Sequence, residues 1–222
     1  LEDTVQLVAD IRARGRYPLI VGGTMLYAKA LREGINDMPS TSPEVRAEVA
    51  KEAEILGWPA MHVKLAEVDP QTATRLSPND SQRIGRALEV FKMTGQPISV
   101  FHAQATKAPP FETLTVGLLP QDRKALHQRI ETRFDLMLAE GFLDEMRALM
   151  KREDFDRDSP AMRAVGYRQA IDYLEGRTDW AGFHLAGVAA TRQLAKRQMT
   201  WMRSMPDVTL LDPLEPGTLD AM

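Results

Sequence analysis

Arg129 and Arg133 stand four residues apart in a helical pattern that follows a short apolar run. That spacing puts both guanidinium groups on one helix face. Paired planar donor forks suit a phosphate or diphosphate, which they can bind bidentately. The competing reading is neutralisation by Glu131, Asp135 or Asp122. A second feature is the run Thr191–Arg203, which carries Arg192, Lys196, Arg197 and Arg203 beside Trp201. From Ala181 through Pro206 there is no Asp or Glu, in a chain whose formal net charge is -3. A carboxylate-free strip in an acidic protein forms a local positive surface for a polyanion, unless it is simply a solvated helix face. Two further clusters are Gln82-Arg83-Ile84-Gly85-Arg86 and Arg163-Ala164-Val165-Gly166-Tyr167-Arg168. In the second, an aromatic ring among arginines could stack on a base while the charges hold the backbone. Each cluster alone is more often surface decoration. Three in an acidic chain favour nucleic acid.

The same residues exclude much. The absence of Cys removes disulfides, thiolate catalysis and Cys-ligated zinc, and suits a reducing compartment. His62, His102, His127 and His184 lack metal-site spacing, and no metal ligand set is identifiable. No window reads as a membrane span or a secretory signal. Asp80, Glu89 and Asp144 read as caps or solvent-facing charges, so no general base is nominated. A phosphate loop of the G-x-x-x-x-G-K-[ST] type is missing. The chain starts at Leu1 inside a helical pattern, from which a missing N-terminal segment is expected.

Positioning these groups takes an α/β framework. With 44% hydrophobic residues, 222 residues can form one domain plus a smaller one. A helix over 2–14 closes at Gly15, Arg16–Val21 reads as a buried strand, and Gly22-Gly23-Thr24 turns into another helix. Ligands of parallel sheets bind beyond the strands' carboxyl ends, where Gly22–Thr24 would lie. Tight turns also use glycine for steric reasons alone. Residues 39–105 read as a mostly helical insertion, with helices near 43–56, 59–67, 70–76 and 78–94. Residues 106–112 are the return linker. A strand over 111–119 precedes helices over 122–138, 142–151, 167–175 and 180–203. Val208–Leu211 forms a last strand before a Pro/Gly-rich tail. The domains are therefore 1–38 with 106–222, and 39–105.

Five runs resemble the bacterial tRNA dimethylallyltransferases (tRNA isopentenyltransferases). They are Leu19–Tyr27 (Leu-Ile-Val-Gly-Gly-Thr-Met-Leu-Tyr), Asn79–Val90 (Asn-Asp-Ser-Gln-Arg-Ile-Gly-Arg-Ala-Leu-Glu-Val) and His127–Phe134 (His-Gln-Arg-Ile-Glu-Thr-Arg-Phe), with Val165–Gln169 (Val-Gly-Tyr-Arg-Gln) and Ala195–Trp201 (Ala-Lys-Arg-Gln-Met-Thr-Trp). The resemblance runs from about Leu1 to Asp212 and implies a P-loop kinase-like α/β core with a parallel sheet and a helical tRNA-binding insertion domain. It also implies transfer of the dimethylallyl group from dimethylallyl diphosphate to N6 of adenosine 37 in the tRNA anticodon loop. Mg²⁺ is the implied cofactor, the anticodon stem-loop and dimethylallyl diphosphate the partners, and a cytoplasmic monomer the implied state. The family's phosphate loop and general-base Asp precede the matched region. These 222 residues alone are therefore expected to be inactive.

Residue by residue, the resemblance implies a diphosphate-side role for Arg133, assisted by Arg129, and places Thr24 near the target nucleotide. It implies tRNA contacts at Arg46, Gln82, Arg83, Ile84, Gly85 and Arg86. A second gripping segment covers Arg163, Ala164, Val165, Gly166, Tyr167 and Arg168. A third covers Lys196, Arg197, Gln198, Met199, Thr200, Trp201, Met202 and Arg203. Two other classes stay open: a P-loop nucleotide kinase that uses the cations on phosphates, and a non-catalytic RNA-binding module.

Overall fold

Capping residues fix most of the helix starts. The computed structural model describes residues 1–104, 106 and 109–218. Positions 105, 107 and 108 of the expected insertion end and return linker, and the tail from 219, lie outside the described residues. The elements run α1 Glu2–Ala13, α2 Met25–Glu33, α3 Pro43–Leu56, α4 Trp58–Val68, α5 Pro70–Arg75, α6 Ser81–Thr94, α7 Ile98–Ala103, β1 Thr115–Leu118, α8 Arg123–Ala139, α9 Phe142–Met150, α10 Tyr167–Leu174, α11 Trp180–Ser204 and β2 Val208–Leu211. Ser42 caps α3 through the Val45 amide, with Pro43 in the first turn. Asp122 caps α8, and Asp179 caps α11 through the Gly182 amide. For α6 the cap is Asp80 itself, which accepts from the Arg83 amide; the helix begins three residues later than the expected 78.

Two compact units divide the chain: Leu1–Ile20 with Leu26–Glu112, and Val21–Met25 with Thr113–Met222. In the first, α3, α4 and α6 enclose Val49, Ala53, Met61, Leu65, Ile84, Ala87 and Val90. The carboxylate of Asp69, only 2% exposed, ties this unit together. It accepts from the Thr72 amide at 3.0 Å, the Thr72 hydroxyl at 2.8 Å and the Ser99 amide at 2.9 Å. One carboxylate thus caps both α5 and α7. The latter helix was not expected from sequence, because its start depends on a residue some thirty positions away.

In the second unit β1 and β2 pair in parallel, Thr115 opposite Val208 through Leu118 opposite Leu211. Helices α8 to α11 pack around Phe134, Phe142, Met146, Ile171, Phe183 and Val188. Phe134 meets Phe183 at 5.7 Å between ring centroids, and Tyr173 stacks on Phe183 at 5.1 Å. A Cβ at Gly187 would come within 2.3 Å of the Phe134 ring. Glycine at this position therefore lets α11 close on α8. The stripe containing Ile130 and Phe134 packs on this aromatic core.

The architecture is mostly helical, with a small parallel sheet. Arg16–Val21 departs from expectation: the segment is extended but joins no ladder among the described residues. Tyr17 is 99% exposed, Leu19 85% and Val21 84%. A short apolar run becomes a strand only when a neighbour satisfies its backbone groups.

The Asp69 network has a measurable consequence. Burial works against its charge, but the amides of Ser99 and Thr72 and the Thr72 hydroxyl outweigh it and hold the carboxyl below the usual aspartate range. The folded state therefore binds the proton more weakly than the unfolded state. The resulting stabilisation is complete above the unfolded carboxyl's titration and is lost as pH falls through the lower folded value. Asp69→Ala should cost about 2–4 kcal/mol by leaving buried donors unsatisfied. Urea unfolding at neutral pH and near pH 3 should show the mutant's deficit shrinking in acid; a deficit that does not change with pH would contradict this role.

Candidate functional site

The exposed face of α8 forms one wall of an open cleft of about 800 Å³ in the second unit. Arg129, Arg133 and Gln198 line it together with Leu118, Leu126, Met137, Met199 and Met202. The three acidic residues that the sequence offers as partners are engaged elsewhere, while Glu140 lines the same cleft without an ion pair among the described residues. Asp122 caps its own helix through the Lys124 and Ala125 amides. Glu131 binds Arg192 at 3.0 Å, and Asp135 binds His184 at 2.6 Å. Among the described residues, neither Arg129 nor Arg133 has an ion pair. The pair is therefore free to take an anion, and the Met and Leu side chains beside it offer an apolar surface.

The Gly22–Thr24 turn belongs to the same unit. Gln198 Nε2 donates a 2.8 Å hydrogen bond to the Gly23 carbonyl. A Cβ at Gly23 would lie 2.5 Å from that nitrogen, whereas one at Gly22 would meet open space. Gly23 thus has a steric reason for being glycine. Thr24, next along the chain, is exposed just before α2.

On α11 the cationic strip is narrower than its sequence suggests. Arg192 is consumed by Glu131. Lys196, Arg197 and Arg203 remain at the surface, and among the described residues they have no ion pair. Lys196, Arg197, Thr200 and Trp201 line a shallow groove with Gln193, and the Trp201 indole is 39% exposed. The Thr200 hydroxyl donates to the Lys196 carbonyl of its own helix. Gln198, Met199 and Met202 face the arginine cleft instead, with Met199 buried.

The other two clusters are more heavily engaged. Gly166 is buried at φ 99°, and its amide donates to Gln169 Oε1. Tyr167 packs on Phe142 at 5.8 Å and its hydroxyl bonds Glu145. That hydrogen bond, aided by burial, pushes the phenol's pKa up, so the ring is anchored within the unit. Arg163 donates to the Asp158 carbonyl, Ala164 is exposed, Val165 is half-buried, and Arg168 is exposed. In the first unit, Gln82 lies at the surface and Arg83 pairs with Asp80 at 2.5 Å. Ile84 is fully buried, and what approaches Gly85 is the Trp58 ring, 3.4 Å from where a Cβ would lie. Arg86 donates to Thr41 Oγ1 at 3.0 Å and to the Pro39 carbonyl at 2.7 Å. Exposed Arg46 reaches the same Thr41 hydroxyl at 3.4 Å. Arg86 therefore anchors the entry to α3. Only the long-range contact to Pro39 and Thr41 shows this, and no sequence spacing signals it.

Among the described residues, no group of three or more His, Asp or Glu could hold a metal ion. None of the described helices is long and apolar enough to cross a membrane.

Two guanidinium groups without an ion pair thus line an apolar cleft, and α11 carries a basic groove on another face. Comparison with known proteins supplies the family. The family described as IPP transferase matches residues 1–205. The tRNA dimethylallyltransferase of Burkholderia lata is 52% identical over 228 residues, covering 99% of this chain and 70% of the relative. That of Paraburkholderia phymatum is 54% identical over 214 residues, 95% of this chain and 68% of the relative. The full-length tRNA isopentenylpyrophosphate transferase of Bacillus halodurans superposes with a TM-score of 0.61 at 33% identity, covering 95% of this chain and 65% of that structure. A eukaryotic dimethylallyltransferase acting on tRNA gives 0.72 at 26% identity, covering 94% and 54%. The chain belongs to the IPP transferase family, and its fold is the P-loop kinase-like α/β class with helical insertions.

Inorganic diphosphate should raise the thermal midpoint of the intact protein by a few degrees at concentrations well above its Kd, since a ligand that binds only the folded state stabilises it. The shift should vanish in Arg129→Ala/Arg133→Ala. An equal shift in the double variant, or one reproduced by chloride at matched ionic strength, would remove these arginines from the anion site.

Proposed function

We propose that this protein moves the dimethylallyl group from dimethylallyl diphosphate to N6 of adenosine 37 in the tRNA anticodon loop and releases diphosphate. The observation that carries the reading is the unneutralised Arg129–Arg133 pair over an apolar wall, in a chain about half identical to tRNA dimethylallyltransferases. In the reaction the C1–O bond of the allylic diphosphate breaks, an N6–C1 bond forms, and one N6 proton passes to a base. Negative charge grows on the leaving oxygen. Preorganised guanidinium donors stabilise it by several kcal/mol in sites of this kind, roughly 3 per donor. The adenine amine is a weak nucleophile because its lone pair is delocalised, so alignment and a base are both needed. The target must also leave its stack, which a loop adenine does more readily than a paired one.

The general base and a phosphate-binding loop are assigned to a part of the protein outside these 222 residues. The chain spans about 70% of the curated relatives' length, which leaves room for them. The described residues offer no carboxylate cluster for Mg²⁺. The two arginines are this chain's donors to the leaving group, and Mg²⁺, the cofactor the family resemblance implies, would add to that charge stabilisation when bound. Residues 39–105 are taken as the tRNA-binding insertion, with 1–38 and 106–222 as the catalytic core. The separate core around Ile84 and Leu65 supports a distinct insertion, and Leu1–Ile20 and Leu26–Met38 belong to the same compact unit as that core. Arg46, Gln82 and Arg83 give the insertion a polar and cationic surface. Lys196, Arg197, Arg203 and Trp201 form the grip on α11, with Arg168 on α10. Thr24 serves at the target nucleotide. A monomer acting on tRNA in the cytoplasm completes the proposal. A nucleotide kinase has no use for the basic groove of α11, and a pure RNA-binding module has none for the arginine cleft.

In the intact protein, Arg133→Ala should lower kcat/KM for dimethylallyl diphosphate by about 10²-fold while tRNA affinity stays within a factor of about two. An unchanged rate would remove Arg133 from the reaction. Lys196→Ala or Arg197→Ala should weaken tRNA binding and lower the salt slope by about one per lost phosphate contact. An unaltered slope would exclude backbone contact at that position.

A further inference from the structure

Gln198 lies on the α11 grip segment, yet its amide points the other way, into the arginine cleft. Its Nε2 bridges to the Gly23 carbonyl at 2.8 Å, across 175 residues of sequence. Among the described residues this is the one side-chain hydrogen bond made to the Leu19–Thr24 segment, which also joins no strand ladder. Gly23 is shaped for this contact. It is not among the positive-φ glycines, so its backbone conformation does not demand glycine. A Cβ would sit 2.5 Å from the Gln198 nitrogen, so the end of that flexible side chain would have to move away from the carbonyl. Glycine at 23 therefore leaves the room in which the amide reaches its acceptor.

We infer that Gln198 is a positioning residue for prenyl transfer: its amide fastens the Gly22–Thr24 turn to α11, so the helix that grips nucleic acid also fixes the turn beside the arginine cleft. This rests on the prenyl-transfer reading above. The two duties fall on different faces of one helix. Lys196, Arg197 and Trp201 line the outer groove, while Gln198 lines the cleft with Met199 and Met202. Without the bond, Thr24 keeps its sequence neighbours but loses its tether. The chemical step should then suffer, with substrate capture largely intact.

The test uses the intact protein carrying Gln198→Glu, Gly23→Ala, Gln198→Ala and the double variant Gly23→Ala/Gln198→Ala. Glutamate keeps the shape of glutamine but presents an acceptor to a carbonyl, so it removes the bond without creating a cavity. Gln198→Glu and Gly23→Ala should each lower kcat about tenfold, with tRNA Kd within about twofold of the parent and amide exchange at Thr24 and Met25 accelerated. The double variant should be no slower than Gln198→Ala alone, because the Cβ at position 23 then has nothing to displace. A parental kcat in Gln198→Glu, a double variant whose loss is the product of the two single losses, or a loss confined to tRNA affinity would each overturn the proposal. If the parent protein itself fails to prenylate tRNA, the prenyl-transfer reading falls and with it the catalytic role. Amide exchange still decides the tether in that case: unchanged exchange at Thr24 in Gln198→Glu would overturn it as well.

Discussion

The contact on which the site depends is the seam between α8 and α11, set by Phe134 lying where Gly187 has no side chain. With that ring seated, two polar pairs close along the same seam: His184 with Asp135 and Arg192 with Glu131. Exposed pairs of this kind contribute little to stability, about 0–1 kcal/mol each. They hold Asp135 and Glu131 against α11, whereas Arg129 and Arg133 lie on another face of α8 and line the cleft with Glu140. The seam thus fixes which face of α8 is turned to α11 and which is left to the two guanidinium groups.

The same logic explains how a chain of net charge -3 can present basic surfaces. Arg157 and Arg177 are absorbed by Asp172 and Glu175, Arg152 by Asp154, Arg147 by Asp144 and Arg83 by Asp80. Lys64 and Lys92 meet Glu52. Among the described residues, those left without an ion pair include Arg123, Lys124, Arg129 and Arg133 on α8 and Lys196, Arg197 and Arg203 on α11. Local potential, rather than net charge, governs attraction of a polyanion. The sequence showed a strip without carboxylates, but long-range pairing decides which of its cations stay available, and Arg192 is the one it removes.

Much of the framework was legible because its signals are local. Ser42-Pro43, Asp122 and Asp179 mark helix starts through hydrogen bonds to amides two or three residues away. The strands at 115–118 and 208–211 follow from alternation and breakers. Failures came where the deciding partner is remote. Arg16–Val21 has strand composition but no ladder neighbour among the described residues, and α7 starts on the Asp69 carboxylate. The cationic clusters misled for a related reason: a run such as Gln82–Arg86 reads as one patch, yet helical periodicity sends Ile84 and Gly85 inward against the core and Trp58. The Arg129–Arg133 pair was legible from spacing. The engagement of Asp135 by His184 and of Glu131 by Arg192 was not, since those partners lie more than forty residues away.

The length of α11 ties the basic groove to the arginine cleft. Its 25 residues span about 37 Å as one rigid element. Residues 196 and 197 face the outer groove, while 198, 199 and 202 face the cleft, because successive helical positions turn by about 100°. Two surfaces on one helix cannot shift independently without rotating it, and rotation is opposed at the other end by Phe183 and Gly187 in the aromatic core. On the proposed reading, a nucleic acid on the outer face would stand at a fixed distance and angle from the arginines. Placing an acceptor amine in line with a leaving group requires such rigidity, because the reacting atoms must meet within a few tenths of an ångström. The buried aromatic cluster, far from any chemistry, is in this sense part of the site's geometry.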